Sequence, residues 1–216
     1  MTQPQLSLFH LARAAQPSQA APLLILLHGY GSNERDLFGL APYIDPRYTV
    51  VSVRAPIALG QGAYAWFPLD WREDGVRFSA EDVQAARQRV IQLVAEAQAA
   101  YQPQGGPVYL LGFSQGAIMS AATLLARPDM LAGAALMSGS ATPDMAPADP
   151  AALAHRPVLI VHGVYDDVLP IRHGRQSREV FAALPVDLAY HEFPMGHEVS
   201  AASLDAVVGW LRARLG

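Results

Sequence analysis

The feature that most constrains this chain is a series of short β-type segments that alternate with longer helical patterns. Several of these segments are apolar throughout, without the polar alternation of a strand that faces water on one side. The pattern therefore predicts an α/β fold in which a mostly parallel central sheet lies between helices on both faces. The predicted strands are Leu6–Leu11, Leu23–Leu27, Thr49–Val53, Val108–Leu111, Gly133–Met137, Val158–Val161 and Leu188–Phe193.

Most of the segments between these strands have apolar residues at helical spacing. Ser79, followed by Glu81 and Asp82, is typical of a capped helix start, and apolar residues then recur at helical spacing to about Tyr101. The same criteria predict three further helices, at Ala117–Ala126, Arg172–Leu184 and Leu204–Leu215.

Two stretches, Ile57–Phe78 and Ser140–Pro150, fit neither period and are predicted to be loops. A length of 216 residues suits one α/β domain, so we expect a single domain spanning residues 1–216. A chain of this length has little room for a long lid, so we expect no large cap domain.

All 15 basic residues are arginine, and the chain contains no cysteine. The absence of cysteine excludes thiolate nucleophiles and Cys-ligated metal sites. The absence of lysine excludes a Schiff base, a P-loop lysine and a Ser–Lys dyad. Any covalent chemistry must therefore use Ser, Thr, His, Tyr or a carboxylate.

Charge and hydropathy narrow the possible partners. The formal net charge is −4 and the arginines are scattered, so nucleic acid is not an expected partner. Apolar runs such as Pro22–Leu27 are far shorter than the ~18 residues that cross a bilayer, so no stable membrane insertion is expected. No basic residues precede the first apolar segment, Leu6–Leu11, so we do not expect a secretory signal. The sequence therefore predicts a cytoplasmic protein. A monomer or a homodimer is compatible with the sequence.

The sequence Gly112-Phe113-Ser114-Gln115-Gly116 joins the predicted strand Val108–Leu111 directly to a predicted helix. A serine on a tight strand-to-helix turn needs small residues two positions away on either side, because the flanking elements approach closely. Ser114 is therefore a candidate nucleophile, and a helix-capping serine is the alternative interpretation.

A nucleophilic serine needs a base, and the base needs an orienting carboxylate. His197 follows the last predicted strand, and Asp166 and Asp167 follow the strand before it. The order of serine, aspartate and histidine along the chain is that of α/β-hydrolase triads. Either aspartate satisfies this pattern.

Catalysis by a nucleophilic serine also requires an oxyanion hole. The strand Leu23–Leu27 ends in His28-Gly29-Tyr30-Gly31, a loop suited to presenting a backbone N–H. The predicted donors are the backbone amides of Tyr30 and Gln115.

These motifs closely resemble those of the phospholipase/carboxylesterase family, a group of small, capless α/β-hydrolases that includes acyl-protein thioesterases. The resemblance runs in consistent order from about residue 22 to the end, and in the family the acid is the fourth residue after the histidine of a His-Gly pair. It therefore implies an α/β-hydrolase fold, with Asp166 rather than Asp167 as the acid. Further matching segments are Ser32-Asn33-Glu34-Arg35-Asp36-Leu37, Arg54-Ala55-Pro56, Trp66-Phe67 and Ser138-Gly139.

Four other side chains can each be interpreted as functional, in substrate or metal binding, or as structural. Trp66 and Phe67 either line an acyl pocket, as substrate-binding residues, or pack in the core under a long loop. His28 and His162 each end a buried strand before a glycine. Because no His-x-x-x-His pair or carboxylate cluster accompanies them, we expect structural histidines and no metal site.

The sequence thus predicts a serine carboxylesterase that hydrolyses short- to medium-chain carboxylic esters through an acyl-enzyme intermediate. It needs no cofactor, and its partner is a small-molecule ester. An acyl-thioesterase acting on acyl-protein or acyl-CoA, or a lysophospholipase, is the alternative within enzymes. A non-catalytic binding module is the least favoured alternative, because all three triad residues are in place.

Overall fold

The computed structural model describes residues 4–16, 21–72, 75–145, 147 and 149–215, and within these it contains eleven β-strands and five α-helices. The strands are β1 (His10–Arg13), β2 (Leu23–Leu27), β3 (Thr49–Val53), β4 (Ile57–Gly60), β5 (Ala63–Ala65), β6 (Asp70–Arg72), β7 (Gly75–Arg77), β8 (Val108–Phe113), β9 (Gly133–Met137), β10 (Pro157–Gly163) and β11 (Asp187–Phe193). The helices are α1 (Glu34–Phe38), α2 (Ala80–Tyr101), α3 (Gln115–Ala126), α4 (Arg172–Ala182) and α5 (Ala201–Arg212). Short 3₁₀ helices lie at Ala41–Tyr43, Pro128–Met130 and Ala151–Leu153.

Seven strands form one central sheet in the order β1-β3-β2-β8-β9-β10-β11. Strand β1 runs antiparallel to β3, and the other neighbouring pairs are parallel. The register pairs Leu27 of β2 with Gly112 of β8, and Gly163 of β10 with Phe193 of β11. The carboxyl ends of the parallel strands therefore meet along one edge of the sheet, where open α/β sheets bind their ligands.

Both faces of the sheet are covered. In β2, Leu23, Ile25 and Leu27 pack with residues of α2 and α3, whereas Leu24 and Leu26 pack with residues of α1 and α5. All five side chains are fully buried. Two-sided burial explains the absence of polar alternation and confirms the predicted parallel sheet between two helix layers.

Several predicted elements have the predicted bounds. This holds for β2, β3 and β9. Helix α2 begins after Ser79, whose side chain accepts a hydrogen bond from the Asp82 amide, and it ends at Tyr101 as expected. Helix α3 begins two residues before the predicted Ala117, α4 ends two residues before Leu184, and α5 lies three residues earlier than predicted.

The N-terminal strand differs from the predicted Leu6–Leu11. Only His10–Arg13 pairs with β3, opposite residues 50–53. Leu6 and Leu8 pack against the core instead. The length of this edge strand is set by its antiparallel ladder with β3, which apolar spacing does not reveal.

The predicted loop Ile57–Phe78 contains two β-hairpins, β4–β5 and β6–β7, and Glu73 and Asp74 lie outside the described residues. The first hairpin turns at residues 60–62, which all have positive φ. Strands of only three or four residues lack a recognisable apolar period, so the pattern did not predict them. In the other predicted loop, Ser140–Pro150, the described residues form no helix or strand; Ala146 and Ala148 lie outside them.

Candidate active site

Ser114 lies on a sharp turn between β8 and α3. Its backbone has φ 53° and ψ −117°, a conformation that L-residues rarely adopt. The turn is tight, because a Cβ at Gly112 would overlap the carbonyl group of Gly116, and a Cβ at Gly116 would overlap that of Leu27. The Ser114 amide donates a hydrogen bond of 2.9 Å to the Met137 carbonyl of the neighbouring strand. Both glycines are thus required by the close approach, as the motif predicts.

The three triad candidates form one chain of hydrogen bonds. The distance between Ser114 Oγ and His197 Nε2 is 2.9 Å, and His197 Nδ1 lies 2.7 Å from Asp166 Oδ2. An ionised carboxylate can only accept, so His197 carries its proton on Nδ1 and leaves Nε2 to accept from the serine hydroxyl. The ring of Phe113 packs against the imidazole, with ring centroids 4.9 Å apart.

Asp166 is held in a turn that supplies several donors. Its side chain is buried, and Oδ1 accepts hydrogen bonds from the backbone amides of Val168 at 3.0 Å and Leu169 at 2.7 Å. Burial opposes ionisation, but the hydrogen bonds from His197 and the Leu169 amide outweigh it and hold the pKa of Asp166 below its usual value. Asp167, the alternative acid, is exposed to solvent. The structure therefore brings Asp166 to His197.

The turns that carry Asp166 and His197 pack directly against each other. A Cβ at Gly163 would overlap the carbonyl oxygens of Met195 and Gly196. Glycine at this position therefore allows the two strand-end turns to approach closely enough for the imidazole to reach the carboxylate.

The predicted oxyanion loop lies beside the nucleophile. A Cβ placed at Gly29 would lie 3.3 Å from Ser114 Cβ and 3.3 Å from the Phe113 ring, so the backbone before Tyr30 borders the serine. Gln115 is the first residue of α3, so its N–H has no acceptor within the helix. Both predicted amide donors thus belong to backbone segments that adjoin Ser114.

A cavity of about 300 Å³ opens at Ser114 and His197. Its wall is mostly apolar, as expected for an acyl-binding site. Sequence reasoning did not single out Ile118, although it lies one helical turn after Ser114, nor Val168 and Leu169, although they directly follow the Asp turn. The lining residues are Tyr30, Leu69, Phe78, Ser114, Gln115, Ile118, Val168, Leu169 and His197.

The structure places Trp66 and Phe67 in the core and not in the wall of this cavity. Each side chain is only 1% exposed. The Trp66 amide donates to Gln115 Oε1 at 2.8 Å, and Gln115 Nε2 donates to the Phe67 carbonyl at 2.7 Å. The two aromatic residues therefore anchor their segment behind the site, which corresponds to the second of their two interpretations.

His28 and His162 are both fully buried, and each hydrogen-bonds to a backbone carbonyl. Within the described ranges, no group of three or more His, Asp or Glu side chains is arranged to hold a metal ion. Over the same part of the chain, the helices are too short or too polar to traverse a lipid bilayer.

The chain is similar to proteins whose names describe a hydrolase, a thioesterase and an esterase. The chain is 32% identical over 168 residues to MhqD of Bacillus subtilis (strain 168), a protein named as a hydrolase, covering 75% of this chain and 76% of that one. It is 33% identical over 115 residues to acyl-protein thioesterase 1 of Gibberella zeae, about half of each chain. The crystal structure of esterase PE8 superimposes with a TM-score of 0.82 at 31% identity, covering 97% of this chain and 100% of that one.

The model of the phospholipase/carboxylesterase family matches residues 10–215. Its match covers nearly the whole chain, including the sharp turn at Ser114 and the turns that carry Asp166 and His197. This protein therefore belongs to the phospholipase/carboxylesterase family and is a serine hydrolase that acts on ester bonds.

Proposed function

We propose that this protein is a carboxylesterase that hydrolyses short- to medium-chain carboxylic esters through an acyl-enzyme intermediate on Ser114. The observation that carries this proposal is the hydrogen-bonded chain from Ser114 through His197 to Asp166, which opens onto a mostly apolar cavity. The nucleophile, its base and the orienting acid are all within hydrogen-bonding distance before any substrate arrives.

In the acylation step, Ser114 Oγ attacks the ester carbonyl carbon while His197 Nε2 takes the hydroxyl proton. The carbonyl oxygen becomes an oxyanion, which accepts hydrogen bonds from the amides of Tyr30 and Gln115. Asp166 keeps the imidazole in the required orientation and stabilises its positive charge. The C–O bond to the alcohol then breaks, and the imidazolium gives its proton to the leaving alkoxide oxygen.

In the deacylation step, a water molecule takes the place of the departed alcohol. His197 removes one proton from this water as its oxygen attacks the acyl carbon, and the same donors stabilise the second oxyanion. The bond to Ser114 Oγ breaks, the serine recovers its proton from the imidazolium, and the carboxylic acid leaves. The side chains of Ser114, His197 and Asp166 are thereby restored.

The size of the cavity sets the proposed acyl range. A volume of about 300 Å³ lies at the lower end of ligand sites, so short and medium acyl chains fit and long ones extend beyond it. We expect rates on soluble esters to stop rising at about ten carbons, and no activation at a lipid interface. A sharp rise beyond that length would contradict the proposed range.

An acyl-thioesterase is the second candidate, and the relationship to an acyl-protein thioesterase supports it. One triad cleaves both bonds, because the tetrahedral intermediate is the same except for its leaving atom. Lysophospholipase activity is a related alternative that requires a longer acyl chain. Matched butyryl and octanoyl esters of an alcohol and of a thiol would distinguish the esterase from the thioesterase by their kcat/KM values.

Replacing Ser114 by alanine tests the proposed nucleophile. Ser114→Ala should lower kcat for p-nitrophenyl butyrate by as much as ~10⁶, as removal of the nucleophile does in a serine protease. Ser138→Ala is the matched control: Ser138 also has a positive φ and also follows a strand, and its buried hydroxyl has no partner among the described residues. Equal activity of the two variants would overturn the proposal.

A further inference from the structure

The ring of His28 is fully buried, and both of its nitrogens have backbone partners. Nε2 accepts a hydrogen bond of 3.0 Å from the Ala55 amide. Since a backbone N–H can only donate, Nε2 carries no proton, and the ring proton must lie on Nδ1. Nδ1 lies 2.7 Å from the carbonyl oxygen of Gly29 and therefore donates to it. The Ala55 amide thus selects one neutral tautomer of His28.

This bond fixes the peptide unit that joins Gly29 to Tyr30. A trans peptide is planar, and its C=O and N–H groups point in opposite directions. When His28 Nδ1 holds the Gly29 oxygen, the Tyr30 N–H is directed away from the imidazole. The Tyr30 N–H is one of the two proposed oxyanion donors, so its direction depends on the His28 ring.

Trp66 connects this loop to the second proposed donor. Its indole Nε1 donates a hydrogen bond of 2.9 Å to the His28 carbonyl. Its backbone amide donates to the side chain of Gln115, whose other amide atom donates to the Phe67 carbonyl. Gln115 is 2% exposed and Trp66 is 1% exposed, so water competes little for these bonds.

We infer that His28 and Trp66 are positioning residues that hold the two backbone donors of the oxyanion hole, on Tyr30 and Gln115, in one hydrogen-bonded frame. This inference rests on the proposed function, because it concerns the same reaction. The frame runs from Gln115 through Trp66 to His28 and ends at the Gly29 carbonyl. Burial lowers the pKa of His28 and so favours the neutral ring that the frame requires.

The variant Trp66→Phe tests the link between the two donors. It retains a buried aromatic ring and the backbone bonds to Gln115, and it removes the bond from Nε1 to the His28 carbonyl together with part of the buried indole volume. Loss of an entire oxyanion donor costs ~10²–10³ in rate, so a displaced donor should lower kcat for p-nitrophenyl butyrate by ~10-fold or more. KM should change little, because the donors act mainly on the transition state.

An inhibitor measurement separates positioning from a general loss of structure. An alkyl trifluoromethyl ketone adds to the serine and forms a hemiketal whose oxyanion occupies the same hole. Its Ki should therefore rise in Trp66→Phe by about the same factor as kcat falls. If kcat falls while Ki stays at the wild-type value, the inference is wrong.

Tyr48→Phe is the matched control. The Tyr48 hydroxyl donates to the Leu211 carbonyl at 2.8 Å, so this variant also loses one buried bond between a side chain and the backbone. Tyr48 packs in the core on the other face of the sheet. Its variant should unfold at or above the midpoint of Trp66→Phe, which also leaves a cavity, and should match the wild type in kcat and Ki. An equal loss of kcat in both variants would assign a merely structural role to Trp66.

His28 is tested by a pair of substitutions. In His28→Asn the side-chain amide occupies the position of Nδ1 and still reaches the Gly29 carbonyl, whereas His28→Ala removes the donor. We expect His28→Asn to retain more kcat and tighter ketone binding than His28→Ala, with both compared as folded protein. Equal values would contradict the inference. If the wild type itself neither hydrolyses esters nor binds the ketone, the proposed function fails instead.

Discussion

At the residue scale, the choice of acid is decided by position rather than by residue type. Asp166 and Asp167 are adjacent in sequence, yet only Asp166 is buried and lies within 2.7 Å of His197. The amides of Val168 and Leu169 fix its other oxygen. A carboxylate in this setting stays ionised and orients the imidazole, whereas the exposed Asp167 has neither contact.

The substitutions Asp166→Asn and Asp167→Asn should therefore differ greatly. In Asp166→Asn the imidazole loses the acceptor that selects its tautomer, and kcat should fall by ~10⁴, as in the equivalent change of a serine protease. Asp167→Asn should stay within about twofold of wild type, because the Asp167 side chain is exposed and is not part of the hydrogen-bonded chain from Ser114 to Asp166. Steady-state kinetics on p-nitrophenyl butyrate measure both. Similar losses in the two variants would exclude Asp166 as the orienting acid.

At the scale of single elements, α1 shows how tertiary contacts stabilise a helix that is too short to be stable alone. It has five residues, Glu34–Phe38, capped by the Asn33 side chain, which accepts from the Arg35 amide. The Ser52 hydroxyl of β3 donates to the Glu34 carbonyl at 2.7 Å. The Asn-Glu start was a visible signal in the sequence, but one helical turn provides no apolar period that would confirm it.

Glu34 is also the buried half of an ion pair. Both carboxylate oxygens accept hydrogen bonds of 2.7 Å from Arg54, whose side chain is 30% exposed. The hydrogen bonds from Arg54 hold the pKa of Glu34 below its usual value. A carboxyl group with a depressed pKa stabilises the fold above its unfolded-state pKa of about 4.3, and this stabilisation disappears as the pH falls below that range.

Glu34→Gln should therefore lower the free energy of unfolding at pH 7 by about 1–3 kcal/mol, less than for a fully buried pair because Arg54 reaches solvent. The difference from wild type should shrink as the pH falls from 5 to 3. Urea unfolding at several pH values measures it. Glu179→Gln is the control, since the Glu179 side chain is exposed on α4 and its replacement should change the free energy of unfolding by less than about 0.5 kcal/mol. A constant difference at every pH would contradict the assigned role of the pair.

The segment between β3 and α2 lines the cavity at Ser114 with Leu69 and with Phe78. Phe78 lines the 300 Å³ cavity at Ser114 and also a neighbouring cleft of about 460 Å³ along α2. Along α3, Ile118 lines the first and Ala122, one turn later, lines the second. The side chain of Phe78 therefore borders both spaces, which follow each other along one helix.

Phe78→Ala should join these spaces and extend the acyl site. We expect the ratio of kcat/KM for octanoyl over butyryl ester to rise by ~10-fold, because added methylenes gain a buried apolar surface. Phe78→Leu, which keeps most of the volume, should give a smaller rise. The unfolding midpoints of both variants show whether the fold is retained. A ratio unchanged in folded Phe78→Ala would place the acyl chain elsewhere.

At the scale of the whole molecule, the site exists because parallel strands end at the same edge of the sheet. Four connecting segments lie at this edge, so residues distant in sequence become neighbours. They are the loop after β2, the turn after β8 that carries Ser114, and the turns after β10 and β11. This convergence made the sequence informative: the apolar strands indicated a mostly parallel sheet, and the polar residues after the strands gave Ser114, His197 and the pair Asp166 and Asp167 as candidates. The family resemblance then selected Asp166.

Other features depend on contacts that no local pattern encodes. The two hairpins within Ile57–Phe78 are too short to show a period, and the N-terminal strand is defined only by its partner β3. The sequence left Trp66 with two interpretations, because an aromatic residue beside glycines suits a pocket and a core equally well. Its indole bond to the His28 carbonyl arises only when two separate loops are folded together.

In the proposed mechanism Ser114 is the nucleophile, and His197 activates it. A fluorophosphonate probe measures this most directly, because it reacts covalently with an activated serine and the modified peptide is identified by mass spectrometry. We expect one label per native chain, located on Ser114, and greatly slowed labelling in His197→Ala. A protein that hydrolyses p-nitrophenyl butyrate but remains unlabelled, or is labelled at another residue, would contradict it.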